Sequence, residues 1–290
     1  MKYIIQLITL FALVFTVNTA LAKGGKPPPA PEPGLLNVVT VSPQYGDYTS
    51  PVDALNSITN AAEDNQYVIQ IGPGTYDLGN AQIIMKPWVR IEGAGTIFTI
   101  IRGSRSSMFN DDEAAIVIGA DNSALIGLSV ENKGGGAYSI GIRNNNASQA
   151  IKHVRVNATG SVTNSGISIN NSHSKLVNVS TGSGDGLSEN YIGIGIYNNS
   201  SPYLLEVSTL PLHGNGTGVI VNNAAPFIVD SQLSGDPGLE LADNAGGRVV
   251  NNLIIGGVLR AVSYTGGTVC RGNYDSNLDD VDCAVITTSD

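Results

Sequence analysis

Charge is the scarcest thing in this 290-residue chain: Asp, Glu, Lys and Arg make up 13% of it, about half the usual share of ~25%. Aromatics are thin at 6%, with a single Trp, and there are two cysteines and three methionines. Each shortage excludes something. A coiled coil or long helical bundle needs Glu, Lys, Leu and Ala in quantity, and these are missing. A disordered chain combines low hydrophobicity with high net charge, whereas 42% of this one is hydrophobic. A nucleic-acid binder carries a basic footprint, yet the formal charge is -9. Two cysteines without further ligands at zinc-like spacing make no metal centre, and no cofactor is implied. What fills the space is Gly, Asn and Ser, the residues of a turn-rich β protein.

Only one long apolar run exists, and it lies at the start. Lys2 provides a positive end, the stretch from Tyr3 to Val17 is apolar, and Ala20-Leu21-Ala22 is a small-x-small site. The pattern predicts a secretory signal peptide over 1–22. Residues 23–36 are Pro-rich and aperiodic, the composition of a stiff linker. From 37 to 290 the composition is uniform, consistent with one β domain. The expected mature protein is exported and has no membrane span.

Self-alignment supplies the fold. A short apolar strand returns about every 20 to 27 residues, within the solenoid range: Ile116-Val117-Ile118, Ile140-Gly141-Ile142, Ile167-Ser168-Ile169, Ile194-Gly195-Ile196, Val219-Ile220-Val221 and Leu239-Glu240-Leu241. Two positions after each stands a small or amide residue: Ala120, Asn144, Asn171, Asn198, Asn223 or Asp243. A second strand follows in every unit, for example at 125–130 and 151–156. Coiled parallel strands would bury the aliphatic face between turns ~4.8 Å apart. Asn at a corner tolerates the left-handed conformation and can form an amide ladder. Stacked like charges would repel, which explains their scarcity. The fold expected is all-β, a single-stranded right-handed parallel β-helix of about eight or nine turns.

Its ends should be capped. Ser50 and Pro51 start a short helix whose apolar stripe, Val52, Leu55, Ile58 and Ala62, would close the N-terminal end. Cys270 and Cys283, in an exported protein, are expected to form a disulfide. It would pin a C-terminal cap over about 265–290 and be worth ~3 kcal/mol on the chain-entropy estimate.

Three segments carry a resemblance. Tyr45-Gly46-Asp47-Tyr48-Thr49-Ser50-Pro51-Val52-Asp53-Ala54-Leu55, then Tyr67-Val68-Ile69-Gln70-Ile71-Gly72-Pro73-Gly74-Thr75-Tyr76, then Val89 to Gly95 with Thr99 to Gly103 resemble the entry of pectin methylesterases. The remainder is similar to the pectin lyase-like superfamily as a repeat. The resemblance implies a cleft on one outer sheet holding two Asp, an Arg and flanking Gln. The strand nearest the family's Gln-Ala-Val-Ala-Leu-Arg is Ala137-Tyr138-Ser139-Ile140-Gly141-Ile142-Arg143, which keeps the Arg but not the Gln. The next strands, 164–169 and 191–196, contain no carboxylate where the two Asp are expected.

The catalytic candidates are therefore Asp185, Glu189 and Arg143, the first two in a loop that could fold toward the third. Asp111-Asp112-Glu113 and Asp279-Asp280 with Asp282 read as solvated turns. His153, His173 and His213 accompany no nucleophile and read as surface residues. Asn157, Asn178 and Asn215 begin Asn-x-Ser/Thr triplets that composition alone explains. The row after the first strand, Gly119, Arg143, Asn170, Tyr197, Asn222 and Ala242, joins guanidinium, amide and aromatic groups suited to a sugar polymer, with Tyr138 and Tyr191 beside it. Arg143, Asn170, Tyr197 and Asn222 are the binding candidates. Three readings stay open: a secreted or cell-surface module binding polysaccharide without the esterase residues, a carbohydrate-active enzyme on uronate polymers, or a structural spacer.

Overall fold

Alternating aliphatics become strands here because each coil lays one side of its backbone on the coil before it. The structure, a computed structural model, describes residues 36–182, 190–210, 216–261 and 263–283. It is a parallel β-solenoid of about eight turns with one α-helix. A 15-stranded sheet starts at Asn37–Val41 and Tyr67–Ile71 and ends at Val269–Arg271. It is folded lengthwise at a corner of one residue per coil. Gly127, His153, Asn178, Glu206, Asp230 and Asn251 occupy that corner with φ from 50° to 65°, the left-handed region open at little cost mainly to Gly and Asn. The strands before the corner form face 1, and those after it face 2. An 8-stranded sheet forms face 3, with Tyr138–Asn145, Thr163–Asn170, Asn190–Tyr197 and Gly216–Asn222 at its centre.

The core is a set of columns. On face 1 the inward positions Ile91, Leu125, Ile151, Leu176, Leu204, Ile228 and Val249 pair in sequence from coil to coil, and all are fully buried. On face 3, Val117, Ile142, Ile167, Ile194, Val219 and Leu239 do the same. One position before each of the last five stands a glycine: Gly141, Gly166, Gly193, Gly218 and Gly238. A Cβ on Gly166 would lie 2.7 Å from the Gly193 carbonyl oxygen and 2.8 Å from Thr181 Cβ, so the backbone itself lines this corner. In the coil before them the bulk is exchanged: Ile116 fills the column and Gly103 stands opposite, where a Cβ would come 2.6 Å from Ile116 Cδ1.

That glycine column sets the register, and it corrects the sequence alignment. Ile142 pairs with Ile167, and Asn144, not Ile142, pairs with Ile169. Ile140 faces outward, where Ala114, Ala115, Ile118 and Tyr138 cover it. Outer cover of this kind makes an outward Ile tolerable and hides the true alternation. Asn144 takes a buried inward position, its Nδ2 donating to Ser174 Oγ at 2.7 Å. The left-handed residues of the corner between faces 3 and 1 are accordingly Asn122 and Asn146 in the early coils, not Ala120 and Asn144. Asn171, Asn198, Asn223 and Asp243 take that role as expected.

Amide ladders form at this corner. Asn170 Nδ2 donates to Asn145 Oδ1 at 2.8 Å, Asn198 Nδ2 to Asn170 Oδ1 at 2.7 Å, and Asn171 Nδ2 to Asn146 Oδ1 at 2.7 Å. The helix Pro51–Ser57 buries Pro51, Ala54 and Leu55, and Ser50 Oγ accepts from the Asp53 amide at 3.3 Å. It closes the N-terminal coil but is shorter than the expected stripe: it ends at Ser57, with Ile58 as its buried cap, Ala62 beyond it, and Ala54 rather than Val52 fully buried. Cys270 and Cys283 form a disulfide, with Cys283 in the core and Cys270 on the last strand of face 1. No helix among the described residues is long and apolar enough to cross a membrane.

Candidate functional site

Outward positions on face 3 form two central rows. The register puts Arg143 in one of them, between Ile118 and Ser168, followed by Gly195, Ile220 and Glu240. The other row runs Asn145, Asn170, Tyr197, Asn222 and Ala242. Three of the four binding candidates, Asn170, Tyr197 and Asn222, thus stand in line, and Arg143 does not. It sits two residues earlier along its strand, because the alignment that placed it with them took Ile142 for the partner of Ile169. Asn145 takes its place.

Arg143 is nonetheless drawn into the same surface. Its Nε donates to Asp112 Oδ1 at 2.7 Å, and its Nη1 donates to Asn110 Oδ1 at 2.8 Å and to Ser168 Oγ at 3.1 Å. Asn145 Nδ2 donates to the same Asp112 oxygen at 3.2 Å. Arg143 is 7% exposed, so its guanidinium is a fixed donor set rather than a free arm. Asp112 belongs to a short 3-10 helix, Asp112–Ala114, capped by Asp111, whose side chain accepts from the Glu113 amide. The acidic turn is therefore more than a solvated loop: one carboxylate caps, and the next neutralises Arg143. Nothing in the spacing announced that pairing, since the two partners are a whole coil apart. Next to Asn110, Met108 and Phe109 are about three-quarters exposed, forming an apolar rim beside the polar row.

Tyr197 lies across Gly195; a Cβ there would overlap its ring and hydroxyl. Only an empty position allows the phenol to lie flat along the sheet. Burial first, and the charge of Glu240 second, raise the hydroxyl to about 12, with Arg143 pulling the other way. Glu240 is itself pushed upward by burial. The two rows thus present a phenol that stays protonated at neutral pH, amides, a neutralised guanidinium and the carboxyl group of Glu240. Tyr138 is half-buried at the head of its strand. Tyr191, expected beside it, is instead buried in the core at 2% exposure, beside Thr181, and desolvation raises its hydroxyl strongly. Its strand begins one residue earlier, at Asn190, which turns Tyr191 inward.

Asp185, Glu189 and His213 lie outside the described residues. Among those described, the four central strands of face 3 carry no carboxylate; Glu240 stands on the next strand, Leu239–Ala242, three rungs beyond Arg143's neighbour Ser168, and no group of His, Cys, Asp and Glu is arranged to hold a metal ion. His153 occupies a left-handed corner on the surface, and His173 is exposed with Nδ1 2.6 Å from Ser201 Oγ. The Asp279, Asp280 and Asp282 cluster stays within the disulfide-closed segment.

No protein-family model and no curated protein sequence matches this chain. Solved structures do resemble it. The pectin methylesterase of Aspergillus niger superposes in its deglycosylated form with a TM-score of 0.62 at 14% identity, over 87% of this chain and 91% of that one. The same protein in a penultimately deglycosylated form, with an N-acetylglucosamine stub, gives 0.62 at 13% identity. The pectin methylesterase of carrot aligns over 83% of this chain and 81% of its own at 14% identity, with a TM-score of 0.48. At such identities the likeness to the fungal protein establishes the parallel β-solenoid fold and nothing finer.

Proposed function

We propose that this chain is an exported glycan-binding β-solenoid that holds a polysaccharide along the outer rows of face 3 without hydrolysing its esters. The observation that carries the reading is the state of Arg143. Among the described residues its close carboxylate, Asp112, is spent as an ion-pair partner, and the neighbouring strands offer amides and a phenol in place of a nucleophile and an acid. Ester hydrolysis on two carboxylates needs one group to attack and another to give up a proton. Amide ladders and a flat aromatic ring instead supply hydrogen bonds for hydroxyls and a surface for the apolar side of a sugar. The fold analogy favours carbohydrate, though as an association. Export is part of the same reading, supported by Lys2, the apolar run after it and the Ala22 site, together with the Cys270–Cys283 disulfide.

The test uses the full chain on methylated pectin, polygalacturonate and a neutral glucan. Expected are binding by affinity electrophoresis, weakened by Tyr197→Ala and Asn170→Ala, and methanol release at the level of the blank. Methanol above blank that is lost in Asp185→Ala or Glu189→Ala would replace this reading with that of a uronate-active enzyme.

A further inference from the structure

The outer surface of face 1 carries a second pattern, unrelated to the rows of face 3. Strand alternation points Arg90, Lys152, Lys175, Arg248 and Arg271 outward from this face, against one outward carboxylate on its strands, Glu92. In a chain of net charge -9 this is a local inversion of sign. Three of these cations share one row. From Arg90 the register passes Ala124 and Ala150 to Lys175, and from Lys175 it passes Tyr203 and Phe227 to Arg248. Each interval is three rungs.

The two intervals differ in relief. Between Arg90 and Lys175 the two alanines leave a groove of about 390 Å³, walled by Tyr67, Trp88 and Arg90 on one side and His173 and Lys175 on the other, within the size range of small-molecule sites. Trp88, the only Trp of the chain, takes φ of 63°, a costly conformation for a bulky residue. Between Lys175 and Arg248 the row rises into a platform. Lys175 Nζ lies 5.5 Å from the Tyr203 ring centroid, and the Tyr203 and Phe227 rings are 5.5 Å apart and tilted by 56°. The carboxylate of Glu92 lies 2.8 Å from Arg90 Nε, off the N–H axis, so that nitrogen stays without a hydrogen bond.

We propose that this strip binds a linear anionic polysaccharide, carboxylated or sulfated, running along the solenoid axis. Six rungs of ~4.8 Å make a track of roughly 29 Å, too long for one sugar and suited to a chain. Cations at regular intervals would meet its acid groups, and the alanine groove and aromatic platform would take the apolar faces of its rings. The aromatics do not suit a nucleic acid, because Tyr203 and Phe227 stand on adjacent rungs against each other and leave no gap for a base to stack into. The strip stands independently of the reading of face 3, and its substitutions are separate from those that test that reading.

The experiment is calorimetric titration of the full chain with an alginate hexasaccharide, a heparin hexasaccharide, cellohexaose and a six-nucleotide single-stranded DNA, at low and at moderate salt. Expected is binding of one or both acidic saccharides, weakened by salt, with cellohexaose at least tenfold weaker. The surface double variant Lys175→Glu with Arg248→Glu should lower affinity at least tenfold with an unchanged circular dichroism spectrum and Tm. Tyr203→Ala should lower it several-fold, and Ser208→Ala, on the outside of face 2, should leave it unchanged. Wild-type affinity in the double variant, equal binding of cellohexaose, preference for the DNA, or no binding of either acidic saccharide would each overturn the proposal. Should the acidic saccharides bind and only Tyr197→Ala weaken them, face 3 is the site and the strip is not.

Discussion

Faces 1 and 3 have matching inner walls and opposite outer ones. Inside, both stack Ile, Leu and Val in unbroken columns. Outside, the centre of face 3 is an amide surface whose guanidinium, that of Arg143, is tied to Asp112, Asn110 and Ser168, whereas face 1 exposes cations and rings with few fixed partners. The contrast refines the explanation for the scarcity of charge. Stacking does not forbid ions; it sets their spacing. Within the row of face 1 that holds Arg90, Lys175 and Arg248, like charges recur every third rung, roughly 14 Å at ~4.8 Å per coil, beyond the ~8 Å Debye length at physiological ionic strength. Lys152 and Arg271, one rung from Lys175 and Arg248, are set two residues along the strand. At the centre of face 3, where Arg143, Ser168 and the amides are close neighbours, the cation is matched by a carboxylate.

The harshest way to break this comparison is to push face 3 off its inner support. Gly166→Val must displace the Gly193 carbonyl or Thr181, and overpacking against backbone should cost about 3 kcal/mol or more. Chemical denaturation would measure it, and the same change at Ser208, on the outside of face 2, should cost almost nothing.

Next in size is Arg143→Met, which leaves Asp112, Asn110 and Ser168 without their shared donor. A loss of about 1–3 kcal/mol is expected, against less than ~0.5 kcal/mol for Lys175→Met on exposed face 1. Equal losses would show that the two faces do not differ in how they hold their cations. Asn170→Ala, which removes one ladder bond given and one received, should cost about 1–2 kcal/mol.

The smallest effect concerns pH. Burial raises the Glu240 carboxyl above the ordinary glutamate range, so the folded state holds that proton more tightly than the unfolded chain. Its charge therefore costs stability as pH rises from the unfolded value through the folded one. Glu240→Gln should raise Tm by about 1–2 °C at pH 7, and the gain should vanish in acid below pH ~4. A gain that persists in acid would remove the charge from the explanation.

Much of the scaffold could be read from the residues alone: the apolar strand repeat, the Asn corners at 171, 198 and 223, the Ser50-Pro51 helix start and the cysteine pair. Those signals are local, or repeat at one period. Register in the early coils was misread because Ile140-Gly141-Ile142 imitates an inward pair while Ile140 faces out under Tyr138. The glycines at 141, 166, 193, 218 and 238 were the better guide. Asp112 and the row from Arg90 to Arg248 were invisible for another reason. Their members come together only once loop lengths and the one-residue corner fix which residues share a rung, and no short-range pattern encodes that. Asp185 and Glu189 remain candidates from sequence only.

The exchange of bulk between Gly103 and Ile116 bears on how the chain finds its place. Coils this alike could stack one step out of phase with little loss of burial, the hazard of any repetitive strand array. Ile116, however, fits only where its own coil supplies Gly103. Moved to a glycine rung it would strike Val156 or Thr181, which already fill that space. The first coils after the helical cap are thus keyed, and a coil laid down from that end inherits a single phase for all that follow.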